Sequence, residues 1–211
     1  MIHTIDQLRA LYGQPRERAL LKQMARIDAH ARRFIERSPF CVLASSGVHG
    51  RLLDASPRGG APGFVKVRDE RTLLLPDSVG NNRLDTLENL LADPRLSLVF
   101  LIPGVEETLR VNGRARLRDE PEFGDAFAQE RQRPRLVIEI TVHEVYLHCA
   151  KAFMRSKLWS PESWPERSGL PTMNQMIRDQ LGAAVELESE EATRARYLAQ
   201  LAQERTPDPE R

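Results

Sequence analysis

The chain has 211 residues, enough for one domain with a sizeable core plus helical additions and too few for two full-sized domains. Lys and Arg total 31 against 30 for Asp and Glu, a formal net charge of +1, which excludes a global bias toward nucleic acid or an anionic membrane and leaves any basic site local. No stretch approaches the apolar length of a membrane span, and the start Met1-Ile2-His3-Thr4-Ile5-Asp6 lacks a basic region followed by an apolar core, so a soluble cytoplasmic protein is expected.

In residues 15–37, Leu20, Met24, Ile27, Ala31 and Phe34 recur at spacings of three and four, which predicts one amphipathic helix ending before Ser38-Pro39. Its basic residues are interrupted by Glu17, Asp28 and Glu36, the pattern of a solvated face rather than a nucleic-acid arm. From residue 40 the pattern changes to short apolar runs separated by Gly, Pro and Asp, at 40–44, 51–55, 64–67, 72–75, 96–102, 108–117 and 136–142. These predict six or more strands. Only two helices, at 83–92 and near 121–129, interrupt them, so regular βαβ alternation is excluded and a β-rich antiparallel barrel or sandwich is expected. After Lys151 a Pro and Trp segment leads to helices near 172–181 and 189–203 and a frayed tail from Thr206, making the chain α+β overall.

Several polar clusters interrupt the strands. Pro76-Asp77-Ser78-Val79-Gly80 turns from an apolar strand into Asn81-Asn82-Arg83, where a helix N-terminus and side-chain donors suit a phosphate; ordinary helix capping explains the same residues. Ser56-Pro57-Arg58-Gly59-Gly60 places a cation at a turn, and Lys66 inside Phe64-Val65-Lys66-Val67 needs either an anion or an outward position on an alternating strand. Arg110 poses the same alternative. Between His148 and Trp159, Lys151 and Arg155 share a helix face with Ser156 nearby, and Trp159 is placed either to stack on a planar ring or simply to pack.

Cys41 and Cys149 form no CxxC pair and are expected to be reduced and mostly buried; His148 and Cys149 point to opposite faces of a strand, and no metal site is expected. GxSxG, GxxxxGK[ST], HExxH and GxGxxG are all missing, so anion donors without a nucleophile point to a cofactor that does the chemistry.

Arg58 and Lys66, Leu74-Leu75-Pro76-Asp77, Gly80-Asn81-Asn82-Arg83, the run from Asp93-Pro94 to Phe100 and Thr108-Leu109-Arg110-Val111-Asn112-Gly113 together resemble the pyridoxamine 5′-phosphate oxidase-like FMN-binding split-barrel family. The Gly-Asn-Asn-Arg turn and Arg155-Ser156-Lys157-Leu158-Trp159 bring the chain nearest to its predicted flavin-nucleotide-binding branch. The resemblance implies a six-stranded antiparallel split β-barrel at 39–159, flanked by helical extensions at 1–38 and 160–211. It implies a homodimer with FMN in grooves lined by both subunits, and an FMN-dependent oxidoreductase of unknown substrate. The cofactor-binding residues implied are Arg58, Lys66, Asp77, Asn81, Asn82, Arg83, Thr108, Arg110, Lys151, Arg155, Ser156 and Trp159, with no catalytic residue identified.

The chain departs from that pattern at three places. Asn81-Asn82-Arg83 replaces a Ser-Arg-Lys stretch, Thr108 replaces a Gln that reaches the flavin ring, and an Ala, Glu and Gln-rich helix replaces the ending that holds the vitamin B6 substrate. Vitamin B6 oxidation is therefore not expected. The alternatives are a non-catalytic flavin module, or deazaflavin F420 or haem on the same fold, with His143 or His148 as the axial candidates for haem.

Overall fold

Alternating buried and half-buried residues build most of the strands in the computed structural model, which describes residues 1–47, 50, 52–78, 80, 82–130, 133–182 and 188–203. Seven strands form one antiparallel sheet, where the resemblance implies six: β1 (Phe40–Ser45), β2 (Asp54–Gly59), β3 (Lys66–Asp69), β4 (Thr72–Pro76), β5 (Arg95–Leu101), β6 (Thr108–Arg118) and β7 (Val137–His148). Their order is β2-β1-β5-β6-β7-β4-β3.

The second strand lies later than expected. Leu52 and Leu53, which prompted a strand at 51–55, are 89% and 83% exposed, whereas Asp54–Gly59 pairs residue for residue with β1. Pro57 is tolerated there because β2 ends the strand order and has only one ladder to serve. The third strand also starts later than expected, at Lys66, leaving Phe64 and Val65 buried just ahead of it. β7 runs six residues beyond its expected end at 142, and a register shift between Asn112 and Gly113 fits it to β6. A Cβ at Gly113 would meet the Thr141 carbonyl oxygen at 2.3 Å, so this crossing requires glycine.

The predicted helix over 15–37 is broken. It becomes α2 (Glu17–Leu21) and α3 (Ala29–Arg37), and between them Met24 exchanges backbone hydrogen bonds with Val145 at 3.0 and 2.8 Å. Asp28 restarts the helix by accepting from the Ala31 amide at 2.8 Å. An unexpected α1 (Ile5–Tyr12) precedes both, closed by a Thr4–Gln7 capping box. α4 (Asp85–Ala92) and a five-residue α5 (Pro121–Asp125) follow, each shorter than expected. α6 (Lys151–Ser156), α7 (Met173–Leu181) and α8 (Glu190–Gln203) complete the described chain, and the expected frayed tail from Thr206 lies outside it. No helix among the described residues is long and apolar enough to cross a membrane.

The main core combines Ile27, Ala31 and Ile35 with the inward residues of the sheet, among them Cys41, Leu43, Phe100, Leu109 and Val111. β4 is buried on both faces: Leu73 and Leu75 enter the main core, and Leu74 joins Phe123, Phe127 and Val137 in a smaller one. Burial pushes the Cys41 thiol up to about 12 against the pull of Arg58, which makes it inert. Cys149 is exposed, not buried as expected, because it lies just past the last paired residue of β7.

Candidate functional site

β2 stands at one end of the strand order, and β4 lies next to the other, yet an ion pair joins them. Arg58 Nη1 meets Asp77 Oδ1 at 3.3 Å, with side chains 19% and 23% exposed. Around this pair opens a cleft of about 1170 Å³, walled by Ser56 and Arg58, by Asp77 and Ser78, by Asn82 to Leu87, and by Phe127, Gln129, Glu130 and Arg133 to Leu136. Burial holds the Asp77 carboxyl above the ordinary carboxylate range, and the Arg58 charge opposes that rise. Arg58 Nε is buried without a hydrogen-bond partner.

Asn81 lies outside the described residues. Asn82 and Arg83 line the cleft, but as loop residues: α4 begins only at Asp85, after Asn82 and Leu84 adopt left-handed backbone at φ 57° and 56°. The expected capping by Asn does not occur, because the N-cap position falls on Leu84. Asp85 and Glu88 occupy the first helical turn, and Arg83 Nε donates to Asp85 at 2.5 Å. On the cleft wall, Thr86 Oγ1 donates to Asp54 at 2.9 Å.

Lys66 receives an anion from its own chain. Its Nζ donates to the Glu130 carboxylate and to the Gly63 carbonyl at 3.0 Å, and lies 5.7 Å from the centre of the Phe127 ring. Glu130 lines the cleft and Lys66 does not.

Arg110 projects from the opposite face of the sheet. Arg58 shares a row with the buried Cys41, Phe100 and Leu109, whereas Arg110 shares the next row with Val99, Val42 and Pro57. Its Nη1 donates to Tyr146 Oη at 3.1 Å, its guanidinium lies 5.7 Å from that ring, and its Nε is buried without a partner. Lys22 Nζ reaches within 5.9 Å of the same ring, and His148 packs 5.2 Å from it. Burial first, then Arg110 and Lys22, lower the His148 pKa. Thr108 opens β6 opposite His148 and is buried.

The last group stands apart from the cleft. Lys151 and Arg155 are exposed on α6, and Ser156 Oγ donates to the Phe153 carbonyl at 3.2 Å. Trp159 donates to the Val105 carbonyl at 2.9 Å and stacks on Phe153 at 5.5 Å, so its packing is satisfied within the chain.

The structure thus brings together Arg58, Asp77, Asn82 and Arg83, sets Lys66 behind Glu130, and leaves Thr108, Arg110, Lys151, Arg155, Ser156 and Trp159 outside this cleft. Glu130, Arg133 and Arg135 line it without having been expected. The basic stretch Arg133-Pro134-Arg135 just before β7 was the available signal for the two arginines. Arg133 pairs with Asp125 at 3.0 Å. Among the described residues, no three His, Cys, Asp or Glu side chains gather to hold a metal ion.

No curated protein matches the chain. Solved structures with a similar but distant fold include HupZ of Group A Streptococcus, with 14% identity over 56% of this chain and 91% of that one and a TM-score of 0.46. A Lactobacillus delbrueckii protein named after pyridoxamine 5′-phosphate oxidase has 15% identity over 58% of this chain and 95% of that one, with a TM-score of 0.47. An F420 reductase has 16% identity over 55% and 94% of the two chains, with a TM-score of 0.38. The family profile described as pyridoxamine 5′-phosphate oxidase matches residues 27–149, which is more than half of the chain and takes in all seven strands. The chain belongs to the pyridoxamine 5′-phosphate oxidase family.

Proposed function

We propose that this protein is an FMN-dependent oxidoreductase that holds the cofactor phosphate in the cleft beside Arg58, Asn82 and Arg83. The observation that carries this is Arg58, a mostly buried guanidinium on the cleft wall whose Nε has no partner. A buried donor left unsatisfied costs about 1–3 kcal/mol, and a phosphate oxygen is the acceptor that a guanidinium and nearby amide donors suit best. A cleft of about 1170 Å³, above the roughly 300–1000 Å³ of ordinary small-molecule sites, leaves room for a flavin nucleotide. When bound, FMN supplies the hydride or electron chemistry. The chain's own part is to bind and orient it: Asp77 fixes the Arg58 guanidinium, and Asn82 and Arg83 offer donors from the loop ahead of α4.

The second half of the proposal is a homodimer in the split-barrel arrangement. It is supported by the half-buried row Val42, Val99 and Arg110 on the face of the sheet turned away from the main core. A second copy against this face supplies Arg110 and the exposed Lys151, Arg155 and Ser156 to its partner's flavin.

Titration with FMN, followed by quenching of flavin fluorescence, tests the cleft. Saturation at one flavin per chain is expected, and Arg58→Ala should weaken binding by roughly 1.5–3 kcal/mol, the worth of a charge-assisted hydrogen bond. Wild-type affinity in that variant, or a copurifying chromophore with the spectrum of F420 or haem, overturns the assignment. Sedimentation as a monomer at micromolar concentration removes the dimer.

A further inference from the structure

Lys66 Nζ is surrounded on three sides: the Glu130 carboxylate, the Gly63 carbonyl at 3.0 Å and the face of the Phe127 ring at 5.7 Å. Of this ion pair, Glu130 lines the cleft and Lys66 does not, so a ligand there meets the carboxylate. Its position is set by the small core. The Glu130 amide donates to the Phe127 carbonyl at 2.9 Å, and Phe127 is buried with Leu74, Phe123 and Val137. Arg133, on the same wall, is likewise paired, with Asp125 at 3.0 Å.

We propose that Glu130 is a specificity-determining residue, the resident counter-ion of Lys66, which makes the part of the cleft wall at Glu130, as distinct from the part carrying Arg133 and Arg135, favour a ligand bringing an N–H or O–H donor and reject one bringing a phosphate or carboxylate. An incoming anion meets the Glu130 charge at short range and has to displace a carboxylate already held in the same chain. A donor meets an acceptor whose geometry is fixed in advance. The inference deepens the flavin assignment by naming the class of the second ligand, and it rests on that assignment only for the identity of the cleft's other occupant.

The test uses inorganic phosphate as the probe, titrated calorimetrically into the full chain as wild type, Glu130→Gln, and Glu130→Gln combined with Lys66→Met. FMN affinity is measured first and the protein is saturated with it, so failure to bind flavin counts against the flavin assignment alone; in that event the same phosphate titration is run on the protein as purified. Glu130→Gln is expected to bind phosphate at least tenfold more tightly than wild type, and removal of Lys66 is expected to abolish the gain. Equal affinity in wild type and Glu130→Gln, or a gain that survives loss of Lys66, overturns the proposal. If Glu130→Gln loses its cooperative thermal transition, Glu130→Asp takes its place: a smaller gain of the same sign supports the inference, and none overturns it.

Discussion

The two faces of the β1–β5–β6 sheet treat their cations differently. At the cleft, Arg58 meets Asp77, Arg83 meets Asp85 and Arg133 meets Asp125, Glu130 on its wall meets Lys66, and Arg135 lines it as well. On the opposite face, Arg110 and Lys22 crowd the Tyr146 ring and His148, and neither has a carboxylate ion-pair partner among the described residues. Glu144, the carboxylate nearest along β7, accepts instead from Asn112 at 2.6 Å. Most cations at the cleft are therefore paired with carboxylates of the same chain, whereas on the other face Arg110 and Lys22 both act to lower the pKa of one histidine.

Both regions depend on β6 and β7 keeping one register, so the largest expected effect is on their crossing. Gly113→Val places a side chain where even a Cβ would sit 2.3 Å from the Thr141 carbonyl oxygen, and the ladder has to part. A loss of about 3 kcal/mol is expected, at the upper end for forced overpacking. Urea denaturation checks it: a midpoint unchanged from wild type would show that the strands accommodate the side chain and that the two regions are not tied through this row.

The same rows explain what the amino-acid pattern makes legible. The strands over 40–45 and 72–76 stand out because their alternation, or their doubly buried Leu run, follows directly from burial. β2 is displaced because its place depends on pairing with β1, while the apolar Leu52 and Leu53 that draw attention remain in solvent. The break at Met24 is tertiary as well: a two-way backbone bridge to Val145 overrides a helical period that is otherwise intact. Of the residues that line the cleft, Asp77, Asn82 and Arg83 are marked in the sequence by turn chemistry and local charge, while Arg58, expected at a turn, lies within β2. Glu130 is not marked, since its partner Lys66 lies 64 residues away and no local spacing encodes that pair.

A smaller effect separates the faces by pH. The Asp77 carboxyl is raised above its ordinary value of 3.8, chiefly by burial. The folded state therefore holds that proton more tightly than the unfolded chain does, and stability falls as pH rises from 3.8 through the folded value. Asp77→Asn should flatten this part of the stability profile, and Arg58→Met should push the Asp77 titration further up by removing the charge that opposes burial. Carboxyl-carbon NMR reads the second directly. A downward shift in Arg58→Met would mean that the guanidinium does not stabilise the carboxylate.

The smallest effect has the opposite sign on the other face. His148 is held below the ordinary imidazole value of 6.5 by burial, then by Arg110 and Lys22, so its neutral form is the one the fold prefers. Its contribution is fully present above pH 6.5 and is lost as pH falls through the folded value, because the unfolded chain takes up the proton first. Lys22→Met should raise the His148 titration toward 6.5 by a smaller amount than Arg110→Met, the order in which the two charges act, and both shifts should shrink in high salt. Imidazole NMR titration separates these cases. If neither variant moves His148, burial alone depresses it, and the two cations of this face do not act on it as the contrast with the paired cleft requires.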